Sequence, residues 1–368
     1  MSVPQALART PFRTDFLSAS DAARLVARIG IPQVLRLISQ ALEADFGRWQ
    51  DFDKSARTAA HSASGVIELM PVADARDYAF KYVNGHPHNP RLGLPTVMAF
   101  GALADVATGM PRFVSELTLT TALRTAATSA MAARHLARTS NRSMALIGNG
   151  SQSEFQALAF MELLGVSELR LFDIDPAASQ KLLRNLQPFL PDFCATAIVC
   201  TSVRDAVAGT DIVTTVTADK THATIIPGHL LEPGMHINAV GGDCPGKTEF
   251  DASALQRAQV FVEYEPQTRI EGELQQMPAD FAVTELWRVL QKLAPGRTSA
   301  AQITLFDSVG FALEDYSALR TMHSLAQGAG LLSQIELVPE LADPKDLFAM
   351  VRQASPPQII HLAALKTA

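Results

Sequence analysis

The chain has 368 residues, 48% of them hydrophobic, and a net charge of −6. It is long enough for one large or two ordinary domains, and the lack of a basic patch or Lys/Arg run argues against nucleic acid and anionic membranes as partners. No apolar stretch is long enough to span a bilayer and the N-terminus lacks a signal-peptide core, so we expect a cytoplasmic protein. The three cysteines, Cys194, Cys200 and Cys244, have no metal-ligand spacing, so we expect reduced, packed thiols and no metal site.

The first block of the chain combines helices with short strands. Residues 18–50 repeat their apolar positions at helical spacing behind possible Ser and Asp caps, which predicts helices. Residues 65–120 contain short apolar segments beginning at Gly65, Tyr78, Pro95 and Arg112, separated by turn residues, which indicates an antiparallel sheet. Residues 120–137 are rich in Ala and predict a long helix that can pack closely.

From Ser143 onward, apolar strands alternate with helical segments. This alternation ends near Gly310 and predicts a doubly wound parallel sheet. A helical tail follows, clearest in "SALRTMHSLAQGAGLL". We expect this tail to return to the first block, because chain ends need a surface to pack on.

The stretch "GNGSQS" contains Gly148 and Gly150, two of the three glycines of a dinucleotide-binding turn, with Ser153 in the third position. It follows an apolar strand and opens a helix, whose N-terminus can hold a pyrophosphate. Asp173 ends the next strand 25 residues after Gly148, where an acid would bind ribose hydroxyls and repel a 2′-phosphate. These features favour NAD over NADP; the alternative is a doubly wound fold without a cofactor.

Charged residues inside apolar runs indicate a second site. Glu68 and Lys81 lie within predicted strands, where either could simply face water. Arg124 falls in about the first turn of the predicted helix, where the helix dipole disfavours a cation unless an anion binds there. On this interpretation, Arg124→Met would change the stability by no more than about 1 kcal/mol. Arg57, Lys81 and Arg124 could hold a carboxylate while Glu68 and Asp243 hold amines, which describes a site for a small amino acid.

Longer motifs carry a family resemblance. The stretches "GVIELMP", "FKYVNGHP", "TALRTAATSA", "IGNGSQSEFQALAF", "INAVGGDCPGKTE" and "LFDSVGFALED" resemble the ornithine cyclodeaminase/mu-crystallin family, from about Phe46 to the C-terminal helices. The resemblance implies a homodimer and an α/β fold of two domains. An α+β substrate-binding and dimerisation domain would span residues 1–135, completed by 320–368, and a Rossmann-type NAD domain with a doubly wound parallel sheet would span 136–319. The implied reaction converts L-ornithine into L-proline and ammonia, with NAD⁺ used and regenerated in one turnover.

The resemblance also implies roles for individual residues. Arg57, Lys81 and Arg124 match carboxylate-binding positions, with Arg124 also near the cofactor. Glu68 matches an amine-binding position, and Val309 lines the substrate pocket. The positions expected to contact NAD are Thr96, Arg124, Gly148, Gly150, Ser151, Gln152, Asp173, Thr217, Val240, Gly241, Gly242, Lys247 and Ser308.

Asp243 matches the proposed general base. It follows an apolar strand, and the strands of a parallel sheet point their carboxyl ends at the ligand crevice. Hydride loss from the α-carbon requires a neutral α-amine, so a base must remove its proton. Gly241 and Gly242 would let the backbone approach the nicotinamide closely. The alternative is that Gly-Gly-Asp is only a turn, for which its composition is well suited.

Several functional alternatives stay open at the level of sequence. A lysine cyclodeaminase or an NAD(P)-dependent ketimine reductase or amino-acid dehydrogenase of the same family would use the same fold, and one extra methylene is weakly discriminated by a pocket. A dinucleotide-binding protein without turnover belongs to a different class. His86 and His88 lie in a segment of Gly, Pro and Asn, which favours a loop over a metal site.

Overall fold

The computed structural model of the chain describes residues 12–140, 142–218 and 222–354. The outermost parts of the predicted first domain and of its C-terminal completion, residues 1–11 and 355–368, lie outside the described residues.

The first part of the chain alternates between helices and strands as far as one long helix. Its elements are β1 (Thr14–Leu17), α1 (Ala19–Ile29), α2 (Ile31–Gly47), β2 (Asp53–Lys54), β3 (Thr58–Ser62), β4 (Gly65–Ala73), β5 (Asp77–Gly85), β6 (Ala99–Asp105), β7 (Pro111–Glu116) and α3 (Thr118–Leu136). The predicted helices in residues 18–50 and the predicted Ala-rich helix are confirmed. The strand predicted from Pro95 begins only at Ala99, and just before it the N–H group of Met98 donates to the side chain of Asn84 at 2.7 Å.

The middle of the chain alternates strands with helices, as predicted. Its elements are β8 (Ser143–Ile147), α4 (Ser153–Leu164), β9 (Glu168–Phe172), α5 (Pro176–Leu186), β10 (Thr196–Val199), α6 (Val203–Val207), β11 (Ile212–Thr215), β12 (His222–Ile226), β13 (His236–Ala239), β14 (Thr248–Phe250), α7 (Ala252–Arg257), β15 (Gln259–Val262), α8 (Glu265–Glu271), β16 (Thr284–Glu285), α9 (Leu286–Leu290) and β17 (Thr304–Asp307). The remaining elements are α10 (Ala312–Ala329), β18 (Ser333–Ile335) and α11 (Ala349–Gln353).

The first sheet is mixed rather than purely antiparallel. Its order is β18-β1-β7-β6-β5-β4-β2, with β3 paired to β4. The strands β4 to β7 are antiparallel, as predicted, but β1 joins the edge of β7 in parallel. Along β4, alternate residues face inward, so Val66, Glu68 and Met70 are buried whereas Ile67 and Leu69 are exposed. This alternation decides which charged side chains enter the interior.

The second sheet is parallel throughout and has the order β10-β9-β8-β11-β13-β17-β15-β16. Starting from β8, the strands β9 and β10 are added on one side of it, and β11 and the later strands are added on its other side. The strand order therefore reverses between β8 and β11, and in such sheets ligands bind beside the carboxyl ends of the strands at this reversal. The predicted doubly wound Rossmann-type sheet is confirmed.

The C-terminal segment returns to the first sheet. The helix α10 packs against α2 and against β4, β5 and β6, and β18 pairs antiparallel with β1. A division at residue 319 would fall inside α10, which is one continuous helix from Ala312 to Ala329. The domain boundaries remain a proposal, and the packing favours a division just before α10.

Two further sequence expectations concern membranes and thiols. Within the described residues, no single helix is long and apolar enough to cross a membrane; α1 and α2 pass that test only as a pair bent by 101°. The three cysteines are free thiols, with Cys244 buried and Cys200 half-buried. The prediction of a packed Cys194 is wrong, because Cys194 is exposed in the turns after α5, where its φ is +50°.

Candidate active site

A cavity of about 250 Å³ lies between the two sheets. It contains all six residues predicted to bind substrate and most of those predicted to bind cofactor. The predicted residues that line it are Arg57, Glu68, Lys81, Thr96, Arg124, Gly150, Ser151, Gln152, Thr217, Val240, Gly241, Asp243, Lys247, Ser308 and Val309. Gly148, Asp173 and Gly242 are not part of this lining.

One wall of the cavity is the carboxyl edge of the parallel sheet. Neighbouring strands β8, β11, β13 and β17 each end beside it, and the residues that follow them face it. These are Gly150 to Gln152 after β8, Thr217 after β11, Val240 and Gly241 after β13, and Ser308 and Val309 after β17. The topology thus collects residues that are far apart in sequence, as expected at a topological switch point.

The opposite wall comes from the buried face of the first sheet and from α3. Glu68 on β4 and Lys81 on β5 both point inward, with only 6% and 1% of their surface exposed. The alternative that these charges face water is therefore wrong for both. Each is paired inside the protein, because a buried charge without a partner would be strongly destabilising.

Arg57 connects the first sheet to the loop after β17. Its guanidinium lies 3.0 Å from Glu68 and 3.1 Å from Glu271, and it donates hydrogen bonds of 2.6 Å to the carbonyl oxygens of Val309 and Gly310. Burial would lower the pKa of Arg57, but Glu68 and Glu271 raise it above its ordinary value. Arg57 therefore stays charged, and it fixes the backbone at the cavity wall.

The sequence argument for Arg124 is wrong in one respect. The helix α3 begins at Thr118, so Arg124 lies in the second turn and not beside the free N–H groups. Those groups are satisfied by the carboxylate of Glu116, which accepts from the backbone of Leu119 and Thr120. The anion that accompanies Arg124 is instead a pair of carboxylates that begin α10, Glu314 and Asp315.

Lys81 belongs to the same buried network. Its ammonium lies 2.7 Å from Asp315, which also contacts Arg124 at 3.0 Å. Burial and the nearby charge of Arg124 lower the pKa of Lys81, while Asp315 opposes this effect. One carboxylate therefore holds two of the three cations predicted to grip a substrate.

Glu271 is a cavity neighbour that the sequence did not single out. Burial raises its pKa to about 7, with Arg57 opposing and the charges of Glu68 and Asp243 adding to the rise. Burial together with Glu314 likewise raises the pKa of Glu263. Burial is the largest cause of both raised pKa values. The buried acids of the ion-pair network nevertheless outnumber its buried cations: they are Glu68, Glu271, Glu314 and Asp315 against Arg57, Lys81 and Arg124. Such a site favours a ligand that brings cationic amines.

Several polar atoms in this network still have capacity for a ligand. Among the described residues, Arg57 Nε, Glu68 Oε1 and Arg124 Nε are buried without a hydrogen-bond partner. Arg57 Nε and Arg124 Nε lie about as close to carboxylates as hydrogen bonds require, at 3.1 and 3.0 Å, but are not aligned with them. Because buried polar groups are normally satisfied, these atoms indicate a place for a polar ligand.

Asp243 lies in the loop between β13 and β14, at the mouth of the cavity. Half of its side chain is exposed, and its Oδ1 lies 3.3 Å from Lys247 Nζ. Lys247 also donates to the carbonyl oxygen of Thr217 at 2.9 Å. Burial would lower the pKa of Lys247, but Asp243 and Glu249 raise it, so Lys247 stays charged beside Asp243.

The glycine turn after β8 suits a dinucleotide. Gly148 has φ +88°, and a Cβ there would lie 2.9 Å from the Val216 carbonyl, so only glycine fits. Beside Gly150, a Cβ would meet nothing within 4 Å, which leaves room for a ligand. The helix α4 that follows has no side-chain cap, and the buried Gln152 Oε1 has no partner among the described residues. These are features expected where a helix N-terminus receives a phosphate.

Asp173 braces the same turn from the end of β9. Its carboxylate accepts hydrogen bonds from the backbone N–H groups of Asn149 at 2.6 Å and Asp175 at 2.8 Å. It therefore lies beside the glycine turn, although outside the cavity described above. This is the relative position in which an acid can reach the ribose of a dinucleotide.

Gly241 and Gly242 were expected to give a nicotinamide ring room. In the structure, the space beside both is filled by buried carboxylates. A Cβ on Gly241 would lie 2.1 Å from Glu249 Oε1, and one on Gly242 would lie 2.9 Å from Glu273 Oε1. The glycines are therefore required by carboxylates of the protein itself; a role towards the cofactor remains a prediction.

The parallel sheet, the glycine turn and the charged cavity at the strand reversal define a Rossmann-type protein with a site for a dinucleotide and a small polar ligand. Residues 20–330 match the model of the ornithine cyclodeaminase/mu-crystallin family. The chain belongs to this family.

Relatives match over nearly the whole chain. The ornithine cyclodeaminase of Brucella suis biovar 1 is 55% identical over 336 residues, which are 91% of this chain and 93% of that protein. A solved structure of lysine cyclodeaminase, which describes recognition of L-lysine, L-ornithine and L-2,4-diaminobutyric acid, has a TM-score of 0.85 at 30% identity and covers 92% of this chain and 99% of its own. An archaeal alanine dehydrogenase dimer with bound NAD has a TM-score of 0.79 at 28% identity, covering 89% of this chain and all of its own, 100%.

Proposed function

We propose that the chain converts L-ornithine into L-proline and ammonia, with NAD as a cofactor that is regenerated in each turnover. The observation that carries this proposal is the 55% identity with the Brucella suis ornithine cyclodeaminase over 91% of the chain. The chemistry of the cavity supports it, because three cations and an excess of carboxylates suit a ligand with one carboxylate and two amines.

The cofactor would be held by the parallel sheet. Gly148, Gly150 and the first turn of α4 would bind the pyrophosphate, and Asp173 would bind the adenosine ribose. Thr96, Ser151, Gln152, Thr217, Val240, Gly241, Gly242, Lys247 and Ser308 would complete its contacts. When bound, NAD⁺ would accept a hydride from the α-carbon of ornithine and later return it.

Arg57, Lys81 and Arg124 would bind the α-carboxylate of ornithine. All three are buried, and Arg57 Nε and Arg124 Nε still lack a hydrogen-bond partner among the described residues. All three cations already form ion pairs with carboxylates of the protein. The substrate carboxylate would therefore join an existing network of ion pairs. Val309 would line the same pocket.

Asp243 and Glu68 would bind the two amines. Asp243 would take a proton from the α-ammonium group, because hydride can leave the α-carbon only when that nitrogen is neutral. The δ-amine must also lose a proton before it can attack the oxidised α-carbon, and Glu68 Oε1 is a buried acceptor that has no partner among the described residues. Ring closure is favoured because the δ-amine is tethered to its electrophile. Ammonia then leaves, and the cyclic imine is reduced to proline.

Lysine is the alternative substrate, since the lysine cyclodeaminase structure aligns with 92% of the chain. Closure of a six-membered ring would require only one more methylene in the cavity, which a pocket discriminates weakly. The higher identity with the Brucella suis protein favours ornithine. An amino-acid dehydrogenase reaction is disfavoured by the second amine-binding carboxylate.

An isotopic label tests the function. Deuterium at the α-carbon of ornithine should reappear at the α-carbon of proline, because the hydride leaves and returns within one active site. Mass spectrometry of the proline measures this retention, and NADH absorbance should stay constant. Accumulation of NADH in proportion to ornithine would identify a dehydrogenase, and faster turnover of lysine than of ornithine would identify the six-membered ring as the product.

NAD⁺ should bind more tightly than NADP⁺. The carboxylate of Asp173 is held beside the glycine turn by hydrogen bonds from Asn149 and Asp175, so it cannot easily turn away from a 2′-phosphate. Titration calorimetry with each cofactor measures the difference, and Asp173→Asn should reduce it. Tighter binding of NADP⁺ by the unmodified protein would contradict the assignment.

We also infer a homodimer. The outer face of β4, β5 and β6 exposes Ile67, Leu69, Tyr78 and Phe100 as one apolar surface, with Tyr82 stacked on Phe100. Contiguous exposed apolar surface of this kind usually contacts another protein, and the related archaeal alanine dehydrogenase is a dimer. We expect a second copy of the chain to cover this face. Light scattering should then give a molar mass twice that of one chain.

The proposed reaction would give the chain a cytoplasmic role in ornithine and arginine catabolism and in proline formation. The three free thiols are compatible with a reducing compartment.

A further inference from the structure

The start of the loop that carries Asp243 is hydrogen-bonded to a buried carboxylate that has no assigned role. Glu249, in the middle of β14, is fully buried. Its Oε1 accepts a hydrogen bond from Thr217 N at 2.8 Å, and from the Thr217 hydroxyl. Its Oε2 accepts from Gly241 N at 2.9 Å. A single side chain therefore joins the segments that leave β11 and β13, at the edge where both line the cavity.

Gly241 is what allows this contact. A Cβ on residue 241 would lie between 2.1 and 2.3 Å from the carboxylate of Glu249, so any other residue would push the carboxylate off the backbone. The glycine and the glutamate therefore form one unit, which fixes the start of the loop that leads to Asp243.

Two more buried carboxylates continue the same pattern. Glu273 accepts from the N–H groups of Glu249 at 2.7 Å and Phe250 at 3.2 Å. Asp307, the last residue of β17, accepts from the N–H groups of Glu273 at 3.0 Å and Leu274 at 2.8 Å. Asp307 thus accepts from the backbone N–H of Glu273, and Glu273 accepts from the backbone N–H of Glu249. The chain of contacts runs from the end of β17 to the ends of β13 and β11, and these three strands are neighbours in the sheet.

We propose that Glu249 is a positioning residue that sets the location of Asp243 and Lys247 relative to the substrate and cofactor, with Glu273 and Asp307 supporting it. This inference rests on the proposed function for its effect on turnover. Glu249 holds Thr217 N, while Lys247 holds the Thr217 carbonyl oxygen and contacts Asp243. Thr217 is therefore bound on both sides of its backbone, and displacement of Glu249 would move Thr217, Lys247 and Asp243 together.

A carboxylate is suited to this task in a way that an amide is not. Glu249 accepts two backbone N–H groups with its two oxygens. Glutamine has the same size but only one acceptor oxygen, and its NH₂ group would face the second N–H donor. Glu249→Gln would therefore release either Thr217 or Gly241, even in a protein that folds.

Glu249→Gln should lower kcat for ornithine at least tenfold, while KM changes less than about threefold, because the carboxylate grip of Arg57, Lys81 and Arg124 is not disturbed. A tenfold decrease corresponds to about 1.4 kcal/mol of lost transition-state stabilisation. The dissociation constant of NAD⁺, measured by titration without substrate, should increase at least threefold because Thr217 and Gly241 line the cavity.

Asp211 offers a matched control at the opposite edge of the same sheet. It accepts from the N–H groups of Arg142 at 2.8 Å and Ser143 at 3.0 Å, immediately before β11 and β8, far from the carboxyl ends that form the cavity. Asp211→Asn should reduce the melting temperature but leave kcat and NAD⁺ affinity unchanged. Glu273→Gln, one step removed from the cavity, should lower kcat by less than Glu249→Gln.

Three outcomes decide the proposal. If Glu249→Gln reduces the melting temperature but keeps kcat and NAD⁺ affinity within about threefold of the unmodified protein, the carboxylate is only structural and the proposal is overturned. If Glu249→Gln does not fold, an unchanged kcat in a folded Glu273→Gln protein overturns it equally. If the unmodified protein binds NAD⁺ but forms no proline, the proposed function fails, and the NAD⁺ titrations still test the positioning role.

Discussion

Asp243→Asn should give a folded protein that binds NAD but forms proline at a rate reduced by at least about a hundredfold. Asn keeps the size and the turn preference of Asp, but it cannot accept a proton from an ammonium group. Removal of a general base commonly lowers rates by about 10²- to 10⁴-fold. Half of the Asp243 side chain is exposed, and the buried Lys247 keeps its hydrogen bond to the Thr217 carbonyl oxygen and the nearby charge of Glu249, so loss of the contact should change the stability by less than about 1 kcal/mol. The measurement is proline formation at saturating ornithine, together with the melting temperature.

Asp251→Asn is a suitable control for this variant. Asp251 lies just beyond β14 and caps α7 by accepting from Ala254 N, a role that Asn performs equally well. The Asp251→Asn protein should form proline at the rate of the unmodified protein. Near-normal activity of a verified Asp243→Asn protein would return Asp243 to the interpretation of a simple turn residue.

Arg124→Met should destabilise the protein by about 3–5 kcal/mol, the range observed when one partner of a buried ion pair is removed. Arg124 is 5% exposed and holds Glu314 and Asp315, which are 0% and 2% exposed. Without the guanidinium, Glu314 would stay buried but lose its ion-pair partner. Any folded fraction should also be inactive, because the substrate carboxylate would lose one of its cations. Denaturant unfolding measures the stability.

Arg134 on the same helix provides the comparison. It is 41% exposed on its side chain and lies 3.5 Å from Glu43. Arg134→Met should therefore change the stability by less than about 1 kcal/mol. Adding Glu314→Gln to Arg124→Met should recover part of the lost stability by removing the unpaired charge. If Arg124→Met is as stable as Arg134→Met, the ion-pair network does not have the role assigned to it here.

The sequence-based expectation of about 1 kcal/mol for Arg124 is too small, because it counts only the helix dipole and not the buried carboxylates of Glu314 and Asp315. The helix start was also misplaced by two residues. The helix was predicted from residue 120, but Glu116 caps it and it begins at Thr118. Helix ends depend on such side-chain caps and are the least predictable part of an element. The shift moved Arg124 out of the first turn, and the dipole argument no longer applied.

The parallel sheet was predictable because its central strands β8, β11, β13 and β17 are buried on both faces and appear as short apolar runs between helices. The edge of the first sheet was not. The strand β1 pairs with β7 through Asp15 and Phe113, and with β18 through Asp15 and Gln334. Pairings between short segments so far apart in sequence leave no periodic signal, and register there is decided by tertiary packing.

The site divides in a similar way. Glu68, Lys81 and Arg124 could be found because a charge within an apolar run is unusual. The acids that pair with Lys81 and Arg124, Glu314 and Asp315, were missed, since an ion pair between distant segments has no local pattern. Glu271, which pairs with Arg57, was missed for the same reason. One signal was available: Glu314 and Asp315 follow the apolar stretch "VGFAL", where acids would be buried and would need buried cations.

The conversion of L-ornithine is tested most directly by product stoichiometry. The purified protein is incubated with L-ornithine and with NAD⁺ at a much lower concentration, and proline, ammonia and NADH are measured over time. One proline and one ammonia should form for each ornithine consumed, for many turnovers per NAD⁺, without accumulation of NADH. Ornithine consumption that stops when the NAD⁺ is exhausted, or ammonia formation without proline, would contradict the proposed function.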